Sequence, residues 1–378
     1  MNKYKNIIIY YFTGTGNALK AARWIIEEAT RIGIPAELHS IDRGYNPDPD
    51  SIDSATLVGF VYPTHGFNTA PSMLNFLMKF PRGKGTHAFV LNTRAGSKIF
   101  NVLGPGISGL AQILPMIILP LKGYSIRGGL PLDMPSNWIS LHPGYSDRWI
   151  SFIIRRCEEI TRDFAVAIMA GRRRYARVLI TLPLDCALAP IAVIYYLIGR
   201  FMLAKTFIYS SNCNNCMICV NNCPVGAIEI RHGKPYWKFT CESCMRCIDN
   251  CPQQAIQASH LFFLIIILIG QIPITMYLFT VMPLLSIINY PIIVFFLNAY
   301  IVLLLVFFLY SALQWLLRLK PVNALFTCTS LTRYWRRYVA PGIQLKDYRT
   351  DRLGQSGQSA GGVLALEKKA STDCRRRV

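Results

Sequence analysis

Short apolar runs alternate with amphipathic stretches over the first 150 residues, the pattern of a parallel sheet covered by helices. The runs predict strands at 6–12, 36–40, 56–62, 86–92 and 123–130, and the segments between them predict helices at 17–32, 71–80 and 98–114. A longer amphipathic helix at 148–172 closes the unit. Such a chain builds a doubly wound α/β domain, whose ligand lies beyond the carboxyl ends of the strands. Further on the pattern changes. Residues 261–317 contain no Asp, Glu, Lys or Arg, which suits two membrane spans of about 20 residues each and not a soluble core helix. Ser286, Asn289 and Pro291 divide this block into 261–285 and 292–317, and Pro273 kinks the first helix without forbidding it.

The formal net charge of +20 changes the picture only through its placement. Arg172, Arg173, Arg174 and Arg177 precede one apolar stretch, and Arg318, Lys320, Arg333, Arg336 and Arg337 follow the other. That distribution fits the positive-inside rule and attraction to anionic headgroups. It argues for a membrane and against nucleic acid as a partner. A hairpin follows, giving a multi-pass protein of the cell membrane with its other domains on the cytoplasmic side. Met1 to Tyr11 lacks the layout of a secretory signal, which agrees with a reducing compartment. The stretch from 354 onward, rich in Gly and Ser and ending in Arg375, Arg376 and Arg377, reads as a disordered tail.

Eight of the twelve cysteines stand at metal-ligand spacing. Cys213-x2-Cys216-x2-Cys219-x3-Cys223-Pro224 recurs as Cys241-x2-Cys244-x2-Cys247-x3-Cys251-Pro252, and Ala227-Ile228 recurs as Ala255-Ile256. Three thiolates two residues apart wrap one cubane, while the fourth reaches the neighbouring cluster. Cys213, Cys216, Cys219 and Cys251 are therefore expected to hold one [4Fe-4S] cluster, and Cys241, Cys244, Cys247 and Cys223 the other. Zinc also takes four thiolates, but its sites use paired two-cysteine knuckles. Over about 210–259 the chain resembles the bacterial-type two-cluster ferredoxins, with every ligand position matched, and that resemblance implies an α+β domain acting as a one-electron wire. Cys157, Cys186, Cys328 and Cys374 read as incidental free thiols.

A second cofactor site is expected in the first domain. Thr13-Gly14-Thr15-Gly16-Asn17 follows the first strand and opens the first helix, where backbone N–H groups and two hydroxyls can ring a phosphate. Neither the P-loop pattern nor the third glycine of the dinucleotide fingerprint is present. Two later loops, Pro63-Thr64-His65-Gly66-Phe67-Asn68 and Thr93-Arg94-Ala95-Gly96-Ser97, lie where a flavin ring would rest. In these features the domain resembles flavodoxins, and the order of the whole chain is similar to the family of flavodoxin and ferredoxin fusion proteins, over about residues 5–259. The resemblance implies FMN, with its phosphate on Thr13, Gly14, Thr15, Gly16 and Asn17. Phe67, Tyr62 and His65 are the candidates for an aromatic stacking on the ring, with Phe67 the first choice, and Arg94 is expected to face its N1 and C2 oxygen region. Tyr175, Tyr195 and Tyr196 read as core or interface residues.

The expected organisation is a flavodoxin-like domain at 1–172, an apolar connecting region at 173–207, a 2[4Fe-4S] domain at 208–259, two transmembrane helices at 260–318 and a basic cytoplasmic tail at 319–378. Residues 178–198, broken by Pro183, Asp185 and Pro190, read as an interfacial or packed helix, because a span there would separate the two redox modules. The expected function is electron transfer between FMN, the clusters and a redox protein partner. The alternative is a flavin-dependent reductase of a quinone or another small acceptor. No Ser, His and Asp arrangement or paired-carboxylate site supports hydrolysis.

Overall fold

The computed structural model describes residues 3–49, 52–99, 102–271 and 291–350. Its first domain is built on β1 (Asn6–Tyr11), where Ile7, Ile9 and Tyr11 are buried on one face and Ile8 and Tyr10 on the other. A strand apolar on both faces needs cover on both. In chain order the cover and the remaining strands are α1 (Asn17–Arg31), β2 (Ala36–Ser40), β3 (Thr56–His65), β4 (Asn68–Thr69), α2 (Pro71–Lys79), β5 (His87–Ala95), β6 (Ser97–Ile99), β7 (Val102–Gly104), α3 (Leu110–Leu121), β8 (Ser125–Met134) and α4 (Asp147–Met169). The main sheet runs β2-β1-β3-β5-β8 with every pair parallel, while β4 folds back antiparallel on β3. This is the flavodoxin-like doubly wound order, with its topological switch at β1 and β3. Trp24, Ile25, Ile153 and Phe164 of α1 and α4 fill one side, and Met73, Phe76 and Leu119 of α2 and α3 fill the other.

The helix expected at 98–114 is corrected. That stretch holds the β6–β7 hairpin, and α3 starts only at Leu110, because Gly104, Pro105, Gly106 and Gly109 interrupt any helix before it. Gly109 has φ 53°, and its amide and that of Ser108 donate to Asp185 Oδ1 at 2.7 and 2.8 Å. The one carboxylate inside the apolar connector thus fastens that connector to the first domain.

The connector itself is bent. Ala176–Ala187 is followed by Ala189–Ile194, a π-helical turn Tyr195–Gly199 and Arg200–Ala204, with an angle of 72° between the two arms. The cysteine domain follows, with Phe207–Tyr209 paired to Ile256–Ala258 and Ile228–Arg231 paired to Lys234–Trp237, both antiparallel. It is the α+β ferredoxin-type unit read from the cysteine spacing.

Two apolar helices are described beyond it, His260–Gly270 and Pro291–Leu316. The second is long enough to cross a bilayer, with mean hydropathy 3.0 over Ile292–Leu316. Val302, Val306, Tyr310 and Leu313 form its buried stripe against the cysteine domain, where Tyr310 donates to the Phe207 carbonyl at 2.9 Å. Leu304, Phe308 and Trp315 are exposed. Most of the expected first span, 261–285, and the expected disordered tail from 354 lie outside the described residues. Residues 319–350, read from sequence as part of a basic tail, are packed structure: Lys320–Cys328 is helical, and the chain then returns over both redox units.

Candidate functional site

At the carboxyl ends of β1, β3, β5 and β8 the loops enclose a cleft of about 690 Å³, counting the space open to solvent. Thr13, Gly14, Thr15, Asn17, Pro63, Thr64, His65, Gly66, Thr93, Arg94 and Ala95 line it. Gly16, Phe67 and Gly96 are not among its lining residues. The helix α1 starts on Gly16, whose φ of 97° only glycine adopts freely, with no side-chain cap and no acidic residue in the first turn. Its first N–H groups therefore face the cleft mouth without a built-in carboxylate, which fits an anion. The Thr13 and Thr15 hydroxyls are both buried there; Thr13 accepts from the Gly16 amide at 3.1 Å and Thr15 from Asn137 Nδ2 at 2.8 Å. Asn17 plays a bracing part, donating to the Pro135 carbonyl at 2.8 Å and accepting from the Tyr338 hydroxyl at 2.6 Å.

Within the two later loops, Phe67 departs from expectation. Phe67 has φ 61°, and its carbonyl accepts from Leu110 N–H at 2.8 Å. The loop turns there under Gly109, where a Cβ would stand 2.9 Å from the Phe67 Cβ. The aromatic walls are instead Trp138 and Tyr195. The Tyr195 ring lies so close over Gly66 that a Cβ there would come within 2.1 Å of it. Arg94 is spoken for: its Nε meets Asp133 at 2.8 Å and its Nη1 reaches Ser108 at 3.0 Å, so it ties β5 to β8 and to the loop before α3. His65 keeps a buried Nδ1 with no partner among the described residues, and burial lowers its pKa to about 4.

Of the two cysteine sets expected from the spacing, one gathers around a single cavity, and in the other Cys241 has Cys223 and Cys244 among its charged neighbours. Cys213, Cys216, Cys219 and Cys251 line one cavity of about 430 Å³, counted as above. Burial and then the nearby Cys251, Cys213 and Cys216 push the Cys219 thiol up to about 12. The buried Cys244 thiol is likewise pushed up to about 12, chiefly by burial, with Cys223 adding to the rise and Arg246 opposing it. Thiols held this way bind as thiolates only with compensating metal charge. Both loops curl alike: Asn215 and Met217 in the first repeat and Ser243 and Met245 in the second all have positive φ. Such left-handed turns aim amide N–H groups inward, forming concavities that suit iron–sulfur clusters. The fourth cysteines also match, Cys223 Sγ accepting from Ala227 N–H at 3.2 Å and Cys251 Sγ from Ala255 N–H at 3.3 Å.

The second cage sits on the cleft. Ser243, Cys244 and Met245 form part of the cleft wall, and a Cβ on Gly14 would come within 2.0 Å of the Cys244 carbonyl oxygen. Arg246, only 2% exposed, pairs with Asp42 at 2.5 Å and donates to the Thr13 and Gly14 carbonyls. Its ring neighbour is Tyr348, 4.5 Å away. Ser72 adds a contact to Glu242 at 2.6 Å, and Arg43 donates to carbonyls of Val220, Asn221 and Cys223. Arg246, Tyr195 and Trp138 were not singled out from sequence for this site.

Residues 212–256 match the 4Fe-4S dicluster domain family. No curated protein matches the chain. Among solved structures, a flavodoxin from the domain Archaea is 16% identical, spanning 42% of this chain and 96% of its own, with a TM-score of 0.27. The two-electron reduced flavodoxin of Megasphaera elsdenii is 14% identical over 43% and 99%, with a TM-score of 0.27. General stress protein 14 of Treponema denticola, solved in complex with FMN, is 12% identical over 43% and 98%, with a TM-score of 0.29. The parallel strand order, not these scores, defines the flavodoxin-like fold of the first domain. The chain thus joins a flavodoxin-like unit to a two-cluster ferredoxin-type unit.

Proposed function

We propose that the chain is a membrane-anchored iron–sulfur flavoprotein that transfers electrons between an FMN in the cleft, its two [4Fe-4S] clusters and an external redox partner. One observation carries this reading: the phosphate loop and the loop of the second cluster are in contact, Gly14 against the Cys244 carbonyl, so both cofactor sites share a wall. FMN bound there would supply the exchange between two-electron and one-electron chemistry. The residues of the chain do the rest. The start of α1 with Thr13 and Thr15 receives the phosphate, and Trp138 and Tyr195 provide flat apolar walls. His65, held neutral near pH 7, adds no charge. Arg246 clamps the two loops, which keeps the cofactor sites at a fixed separation.

Membrane anchoring is supported by the exposed apolar faces of Pro291–Leu316, of His260–Gly270 and of the bent connector, where Leu179, Ile180, Leu184, Leu264, Leu268 and Phe308 lie open. Contacts between the two redox units keep them on the same side of any bilayer, which supports the packed reading of 178–198.

Anaerobic purification of the full chain in detergent tests the proposal. It requires about eight iron atoms and one FMN per chain, with paramagnetic signals from two interacting reduced cubanes. Full iron content without any flavin would reduce the first domain to a docking unit and overturn the flavoprotein assignment.

A further inference from the structure

Between the hairpin turn of the cysteine domain and the last turns of the long apolar helix lies a second cavity, of about 600 Å³ counting the space open to solvent. Arg231, His232, Lys234 and Arg318 line it, and no carboxylate does. Glu229 pairs with Arg231 at 2.5 Å from outside the cavity, and the Arg231 guanidinium lies 3.7 Å from the Tyr236 ring centre, which fixes its plane. Lys234 donates one N–H to the Cys213 carbonyl at 2.9 Å. The Arg318 guanidinium makes no hydrogen bond or ion pair among the described residues. Arg231 has its carboxylate partner outside, while Lys234 and Arg318 bring positive charge to a wall that holds no carboxylate, which favours an anion in the cavity.

The helix indicates where that anion comes from. Leu304, Phe308, Ser311 and Trp315 are spaced i, i+4, i+7 and i+11, one face of Pro291–Leu316, and that face ends at the cavity, where Ser311 and Trp315 form its wall. Leu304 is 61% exposed, Phe308 66% and Trp315 59%. An open apolar track leading into a basic pocket, with an exposed Trp at its rim, matches an acyl chain below a phosphate at headgroup depth. A free phosphate would use the pocket and leave the track without purpose.

We propose that this cavity binds the headgroup phosphate of an anionic phospholipid, whose acyl chain lies along Leu304 and Phe308. The site rests on the membrane-anchored reading above. Through Lys234 the headgroup would press on the backbone of Cys213, a ligand of the outer cluster, so the face bearing that cluster is seated on the bilayer surface.

The test is native mass spectrometry of the detergent-purified full chain with equimolar phosphatidylglycerol and phosphatidylcholine. About a tenfold preference for phosphatidylglycerol is expected, falling to near parity in Arg231→Gln/Arg318→Gln with iron and sulfide contents unchanged. Arg231→Lys/Arg318→Lys should keep most of the preference, which separates lost charge from lost folding. Equal retention of both lipids by the native chain overturns the proposal. So does displacement of the lipid by inorganic phosphate, or by a short-chain quinone, each of which would name a different occupant. Alkaline carbonate extraction of native membranes separates the two readings. Release of the chain sinks membrane anchoring itself, whereas a chain that stays in the pellet but selects no anionic lipid sinks only the site.

Discussion

The two cysteine repeats share their cysteine spacing and their curled loops, yet the residues between the cysteines differ, most sharply in charge at one position. The position before the third cysteine is Ile218 in the first repeat and Arg246 in the second. Ile218 lies beside the outer cage and lines its cavity, while Arg246 is buried against Asp42 and the phosphate loop. Duplicated cysteine spacing therefore leaves the two loops in different surroundings, and Arg246 gives the second one its buried ion pair with the first domain. The inner cluster is the one whose loop carries a cation into the neighbouring domain.

The hardest test of this difference is to remove one fourth ligand at a time. Cys223→Ser should abolish the inner cluster and Cys251→Ser the outer one, each lowering iron content by about half. Reduced-state paramagnetic spectra should then lose the coupling between clusters in both variants. If Cys223→Ser instead removes the cluster of Cys213, Cys216 and Cys219, the crossed assignment is wrong.

Making the repeats alike is the next largest perturbation. Arg246→Ile leaves Asp42 buried without its partner and strips donors from the Thr13 and Gly14 carbonyls, which should cost about 3–5 kcal/mol. Denaturant unfolding monitored in the first domain should report the loss, together with weaker flavin retention. Arg246→Lys should recover only part, because a lysine cannot serve Asp42 and two carbonyls with one planar fork.

Thr13→Val and Thr15→Val probe the anion end of the cleft. Each removes a hydroxyl next to a charged phosphate, and each should weaken FMN binding by about 1.5–3 kcal/mol in a fluorescence titration. Unchanged affinity in both would move the phosphate elsewhere.

The smallest expected effect is a pH dependence. The folded pKa of His65 lies at about 4, below its ordinary value, so between the two the unfolded chain holds a proton that the folded chain does not. Stability should fall as pH drops from about 7 to 5, by about 2 kcal/mol from this residue. His65→Asn should flatten that slope in thermal unfolding of the anaerobic protein.

Much of this architecture could be read ahead of any coordinates. Alternating apolar runs marked the parallel strands, since β1, β3 and β5 are buried on both faces, and the cysteine spacing marked the two-cluster unit matched over 212–256. The loop from β1 into α1 was legible as part of the cleft because its glycines and hydroxyls are contiguous. What escaped notice depends on contacts between distant segments. Tyr195 reaches Gly66 because the connector bends between Ala187 and Ala189, and nothing local to Phe67 signalled that this residue, unlike Thr64 to Gly66, would stand outside the cleft lining. The helix expected at 98–114 was apolar enough in pattern, but Gly104, Pro105 and Gly106 outweighed that periodicity. Arg246 looked like one more basic residue in a basic chain, because its partner Asp42 is over two hundred positions away in sequence.

The returning segment after the long apolar helix also sets an order of events in time. Tyr338 donates to Asn17, the Ala340 amide donates to the Thr15 carbonyl, and Ile343 packs on Gly16. These contacts join a loop made early with a stretch made only after the long apolar helix Pro291–Leu316. Domains made first usually fold first, yet here the loop at 13–17 gains this support only once residues 338–343 have been made. A chain lacking residues beyond 330 should therefore hold the loop at 13–17, and a flavin on it, less firmly.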